Sequence, residues 1–181
     1  DHMRVEAAGG AWLYAGGDLA GRAPLTHMGK YEARVCGDVI AARAEGRPWD
    51  GPRFRASADH DQVPQVVFTD PQVAWVGRTE VQARAAGVDV EVLTTDLGAT
   101  AGAALQRPDY AGQARLVVDQ ESDTVVGATF VGPEVGEMLH AATIAVVGAV
   151  PLDRLWHAVP VFPTVSEAWL RLLESRGGPS R

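Results

Sequence analysis

The sequence predicts an α+β fold, an antiparallel sheet with flanking helices. Three observations lead there. Short segments rich in Val, Thr and Phe follow one another, separated by turn residues. Two of them, GQARLVVDQ and TVVGATFVG, are joined through Glu121-Ser122-Asp123, a strong hairpin signal. The strand segments come in succession and helical ones follow, which separates this pattern from the strict alternation of a doubly wound sheet.

The elements can be taken in order. Trp12 to Ala15, within an apolar run from Ala11, reads as a short buried strand ended by Gly16 and Gly17. After the loop LAGRAP comes a helix from Thr26 to about Ala44. Met28, Tyr31, Val35, Val39 and Ala42 lie at helical spacing, and Thr26 serves as its N-cap. EGRPWDGPRFRASADHDQ is rich in Gly, Pro and mixed charge and has no period, so it reads as a linker. PQVVFT and DPQVAWVGRT are strands. A helix runs over 79–86, capped by Thr79 and closed by Gly87. VDVEVLTTDL alternates as a strand does, and the hairpin follows. Helices are predicted over 133–147, 152–157 and 164–175.

Composition narrows the function. The chain has 181 residues, 46% of them hydrophobic and 22% charged, with net charge -7. That is globular rather than disordered. Its acidity argues against nucleic acid or anionic membrane as the main partner. There is no apolar stretch of the roughly eighteen residues a membrane span needs. A single cysteine forms no internal disulfide, which fits a reducing cytoplasm. The opening DHMRVEAAGGAWLYAGGD has no Met at its first position and soon enters an apolar strand. A strand without its neighbours predicts a chain that is one piece of a larger architecture.

AGGDLAGRAPLTHMGKYEARV carries the first candidate site. A strand, two glycines, an aspartate and a helix start can form an anion or ribose site. Gly17 lets a backbone come close, and Asp18 accepts hydroxyl hydrogen bonds. Leu25, Thr26 and His27 offer backbone N–H groups at the helix start. On pattern alone, a plain strand–turn–helix connection with Asp18 capping the turn is the simpler reading of these residues. The second candidate is HAVPVFPTVSE, whose carboxylate Glu167 could orient a base. The remaining candidates read as structure. Cys36 sits among Val35, Val39 and Ile40 as a buried thiol. His157 reads as a helix-end histidine, and His140 as a packed or interface one. Trp12, Trp75, Trp156 and Trp169 read as core or interface anchors. No His/Cys/Asp/Glu group has metal-ligand spacing.

WLYAGGD followed by RAPLTH resembles the second FAD-contacting segment of the pyridine nucleotide-disulfide oxidoreductases, which include dihydrolipoamide dehydrogenase and mercuric reductase. VPQVVFTDPQVAWVG, LVVDQESDTVVGATFVGPEVGEMLHAATIAV and PTVSEAW resemble, in the same order, parts of the C-terminal dimerisation domain of that family. The resemblance implies that residues 1–60 are a strand–helix remnant of the FAD-binding domain plus linker, and that 61–181 are the dimerisation domain. It implies FAD held by Gly17, Asp18, Leu25, Thr26 and His27, NAD(P)H as electron donor, and a homodimer. Leu139, Ile144, Val147, Phe162 and Trp169 are the apolar interface candidates. No G-x-G-x-x-G and no C-x₄-C occurs, so the main phosphate loop and the redox disulfide lie elsewhere. The chain alone is therefore expected to hold FAD poorly and not to turn over.

Members of that family that handle dithiols carry His-Pro-Thr-x-Ser-Glu, the histidine exchanging protons and the glutamate holding it. Anchored on Pro163-Thr164-Val165-Ser166-Glu167, Phe162 stands at the histidine position; anchored on His157-Ala158 and Pro160, Val159 does, and neither register supplies a base. Reducing a disulfide needs a proton donor beside the leaving thiol; hydride transfer to a quinone does not. The expectation is a flavin-dependent NAD(P)H oxidoreductase acting on a quinone-like or other non-disulfide acceptor. Two other readings stay open: a non-catalytic stand-alone dimerisation module, and a dithiol reductase with a displaced base.

Overall fold

In the computed structural model, residues 2–6 and 12–177 are described. The chain divides into two compact units, Asp1–Val63 and Pro64–Arg181.

The first unit is organised by α1 (Thr26–Ala44), whose buried residues are Met28, Glu32, Val35, Val39 and Ala42. Leu25, in extended backbone, occupies the N-cap position and Thr26 is the first helical residue, so Thr26 is not the cap. Val35 packs with Met3 and Ala56, and with the half-buried Tyr31 and Cys36. The Tyr31 hydroxyl accepts hydrogen bonds from the amides of Ser57 and Ala58, fixing the return loop. Trp49 is gripped by two cations, the Arg4 and Arg43 guanidinium carbons lying 5.9 and 5.7 Å from its ring centroid.

The expected buried strand at Trp12–Ala15 is not formed. Arg4 and Tyr14 make an isolated antiparallel bridge, with Val5 N donating to Leu13 O (3.0 Å) and Ala15 N to Met3 O (2.8 Å). Trp12 is 72% exposed, so it anchors no core. A two-stranded contact of this size is too small to bury the Trp12 and Leu13 side chains. Ala11, the start of the predicted run, lies outside the described residues.

The second unit contains the predicted antiparallel sheet. Its strands are β1 (Gln65–Val67), β2 (Gln72–Gly77), β3 (Val90–Asp96), β4 (Gln113–Asp119) and β5 (Thr124–Gly132), in the order β1-β2-β5-β4-β3. All neighbours are antiparallel. The β4–β5 hairpin sits where Glu121-Ser122-Asp123 predicts it, and Asp119 accepts from the Glu121 and Ser122 amides. Side chains alternate across the sheet. Leu93, Ala114, Leu116, Ala128 and Phe130 join one core with α4 (Leu139–Val147) and α6 (Ala168–Ser175). Val90 and Val117 pack with Ala83 of α2 (Glu80–Ala85) in a separate cluster.

Three helices differ in detail from the sequence reading. Residues 133–147 begin with a left-handed Glu134 and a 3₁₀ turn at Val135–Met138 before α4. The predicted helix over 152–157 forms only at α5 (Leu152–Leu155). The closing helix opens as a 3₁₀ turn, Val165–Glu167, before α6. One further helix, α3 (Ala101–Gln106), was not expected. Its Ala-Gly-Ala-Ala-Leu-Gln has no apolar period, and only the Thr100 cap, accepting from Ala103 N, announces it.

Candidate functional site

The flavin-turn candidate lies wholly in the first unit. Gly16 is extended, and Gly17–Ala20 form one 3₁₀ turn closed by Gly21 N donating to Asp18 O (3.1 Å). Gly17 has φ +70°, a conformation glycine adopts without cost. The Asp18 side chain is exposed, as are Thr26 and His27 in the first turn of α1. Leu25 differs from expectation: its amide donates to Ala23 O (2.8 Å) and its carbonyl accepts from Gly29 N (2.9 Å). It is therefore not a free donor.

The turn and the helix are held against each other. A Cβ built on Gly29 would lie 3.3 Å from Gly17 Cα, a tight approach that a side chain fits only if the turn gives by a few tenths of an ångström. Glu32, one turn further along α1, is 0% exposed and its Oε2 accepts from Gly17 N at 2.5 Å. Sequence reasoning missed Glu32. The signal was present: the buried positions are Met28, Glu32, Val35, Val39 and Ala42, and a glutamate at a core position of that series stands out. An exposed carboxylate, an exposed helix head and a glycine contact that brings the backbones together fit a polar cofactor chain laid across this turn.

The tail candidate lies wholly in the second unit. After α5, the chain passes without regular structure through Val159, Val161 and Phe162, which are 81%, 73% and 73% exposed. The Phe162–Pro163 peptide bond is cis. Thr164 crosses α3 where Gly102 has no side chain; a Cβ there would lie 2.1 Å from the Thr164 carbonyl carbon. The Thr164 hydroxyl donates to Val161 O (2.5 Å). Glu167 ends the 3₁₀ turn, and its Oε2 is buried with no hydrogen-bond partner among the described residues. His157 is exposed just beyond α5, and its amide donates to Arg154 O (3.1 Å).

An apolar groove of about 310 Å³ lies beside this tail, lined by Ala141, Ile144, Leu155, Pro160, Ser166 and Trp169 among others. Ile144 (57%), which lines it, and Val147 (53%), on the same helix, stay exposed, whereas Leu139 is 5% exposed and belongs to the core. Leu139 therefore cannot join an interface, because its side chain is already covered by the sheet. Trp156 and Trp169 pack partly buried against the same core. His140 is exposed on α4. Cys36 is half-buried, and burial pushes its thiol above its ordinary range, which disfavours the thiolate. Among the described residues no group of three or more His, Cys, Asp or Glu could hold a metal ion. No helix among the described residues is long and apolar enough to cross a membrane.

The pyridine nucleotide-disulphide oxidoreductase dimerisation domain matches residues 63–173. The chain belongs to the pyridine nucleotide-disulphide oxidoreductases. Dihydrolipoyl dehydrogenase 2 of Haloarcula marismortui is 34% identical over 86% of this chain and 30% of its own length. The dihydrolipoyl dehydrogenase of Vibrio cholerae is 30% identical over the same shares. The chain thus spans about a third of the length of these curated relatives. Among solved structures, the HOCl-induced flavoprotein disulfide reductase RclA from Escherichia coli superposes with TM-score 0.75 at 26% identity, over 91% of this chain and 35% of that one. LpdA from Mycobacterium tuberculosis gives TM-score 0.74 at 21% identity over 96% of this chain and 36% of that one, a likeness of fold alone. The five-stranded antiparallel sheet with its flanking helices is the fold of this family's dimerisation domain.

Proposed function

We propose that this chain is the dimer-forming portion of an FAD-dependent NAD(P)H oxidoreductase whose acceptor is a flat, quinone-like molecule rather than a disulfide. FAD, when bound, supplies the relay of a hydride from NAD(P)H to the acceptor. In this reading Asp18 accepts hydrogen bonds from hydroxyl groups of the cofactor chain. Gly17 lets that chain lie close to the backbone. Thr26 and His27 open a helix of 19 residues whose positive end favours the electron-rich ring. Two copies pair through the exposed apolar surface of α4 and the tail, where Ile144, Val147 and Phe162 leave large side chains in water.

The observation that carries the choice of acceptor is Phe162. It is 73% exposed, stands at the position where the family resemblance puts a histidine, and has no titratable proton. An aromatic face there stacks on a planar acceptor and gives no proton to a leaving thiol. Glu167 lies in the 3₁₀ turn with a buried oxygen that has no hydrogen-bond partner among the described residues.

The test uses protein made from the complete coding sequence. Intact mass and the visible spectrum come first, then NAD(P)H oxidation with a benzoquinone, lipoamide and glutathione disulfide in parallel. Bound flavin, with quinone turnover well above disulfide turnover, supports the reading. A colourless protein overturns the flavoenzyme assignment and leaves a pairing module. Efficient lipoamide reduction overturns the acceptor alone. That last outcome is a second reading in its own right, favoured by relatives named dihydrolipoyl dehydrogenase. It requires a displaced base, and His157→Ala should then abolish turnover.

A further inference from the structure

Glu32 is a buried ionisable side chain for which the functional reading above has no role. It sits on the inner face of α1 between Met28 and Val35, where an apolar residue would pack. Taking a carboxyl group out of water is costly, and a single hydrogen bond from Gly17 N offsets only part of that. The other oxygen, Oε1, is buried with no partner among the described residues. Judged as a core residue, Glu32 is therefore poorly chosen. Judged by what it touches, it is well placed. Its Oε2 holds the amide of Gly17, the left-handed residue that begins the turn. A Cβ on Gly16 would lie 3.6 Å from Glu32 Cβ and 3.7 Å from its Oε2, so the extended segment entering the turn runs along the same side chain. Gly29, one helical turn before Glu32, closes on Gly17 from beneath. Asp18 is the next residue, and its carboxylate points to solvent.

We propose that Glu32 is a positioning residue for the cofactor turn. Its carboxylate clamps the Gly17 amide, fixes the left-handed backbone there, and so sets the direction in which Asp18 is presented to the hydroxyl groups of FAD. The assignment deepens the flavin-contacting reading of Gly17 and Asp18 and rests on it. The clamp needs an acceptor at the carboxylate position rather than a charge as such, so an amide oxygen serves and a shorter side chain does not.

The test compares wild type with Glu32→Gln, Glu32→Asp and Glu32→Leu in protein made from the complete coding sequence. Three quantities are measured: hydrogen exchange at Gly17 and Asp18 in the FAD-free protein, the Kd for FAD on reconstitution, and the thermal melt. Glu32→Gln should keep Gly17 protected and Kd near wild type. Glu32→Asp and Glu32→Leu should speed Gly17 exchange and raise Kd by about tenfold, the effect of one lost hydrogen bond to the Gly17 amide. The melt should stay cooperative. A Glu32→Leu protein that binds FAD within about twofold of wild type and keeps Gly17 protected overturns the proposal. If Glu32→Leu fails to fold, Glu32→Asp decides, and unchanged Gly17 exchange in it has the same force. If wild type itself takes up no FAD, the flavin reading fails, and faster Gly17 exchange in the variants then reduces Glu32 to a structural clamp.

Discussion

Gly102 and Asp119 show how much a single position decides. Gly102 lies under the tail, and any side chain there collides with the backbone of Thr164 and Val165 rather than with a movable side chain. Backbone cannot yield cheaply, so Gly102→Ala should destabilise the second unit by about 1–3 kcal/mol in urea unfolding and shift the Phe162–Glu167 segment. Unchanged stability would show that the tail sits higher on α3. At Asp119, burial pushes the carboxyl up, but the Glu121 amide and the Ser122 hydroxyl and amide outweigh it and hold it below its ordinary 3.8. A carboxyl lowered by folding stabilises the native state above its unfolded value, and that contribution is lost as pH falls through the folded value. Wild type should therefore lose its advantage over Asp119→Asn as melts are taken from about pH 7 to about pH 3. A gap that stays constant with pH would assign the effect to neutral hydrogen bonding.

At the scale of elements, local chemistry was legible wherever it is self-contained. Thr79 and Gln82 form a reciprocal capping box at the start of α2, with Gln82 N donating to the Thr79 hydroxyl (3.2 Å) and Thr79 N to Gln82 Oε1 (2.9 Å). Thr79→Ala should cost about 1 kcal/mol by chemical denaturation. The cost should fall mainly on the α2 packing around Ala83, Val90 and Val117, because that cluster is separate from the main core. The hairpin was readable for the same reason: Asp119 and Ser122 satisfy the turn within a few residues. Where an element depends on distant partners, sequence misjudged it. Trp12–Ala15 has the residues of a buried strand, yet only Met3–Val5 pair with it among the described residues. The helix expected from residue 133 starts late because Glu134 turns left-handed before a 3₁₀ segment, a backbone choice no apolar period reveals.

For the whole molecule, the distribution of exposed apolar surface decides how it is used. Ile144 lines the groove beside the tail and Val147 lies on the same helix, both more than half exposed, while neighbouring Ala142 is sealed in the core. Ile144→Glu should leave circular dichroism and the melt near wild type, since the side chain packs little within its own chain. It should shift the protein from dimer to monomer in light scattering after gel filtration, because a dry apolar contact pays heavily for an unpaired carboxylate. A dimer that persists would move the pairing surface away from α4.

The sequence by itself determined the family, the α+β class, the strand segments of the second unit and the hairpin, and it marked Gly17, Asp18 and Phe162. Each rests on order along the chain or on chemistry within a few residues. Only the tertiary structure decided which of those residues meet. Helical spacing puts Glu32 on the buried face of α1, but nothing local says that this face closes over the Gly17 amide. Likewise an Ala-Gly-Ala-Ala run gives no hint that Gly102 is the seat of the Thr164 backbone. Periodicity tells which side of an element is covered; the fold alone tells what covers it.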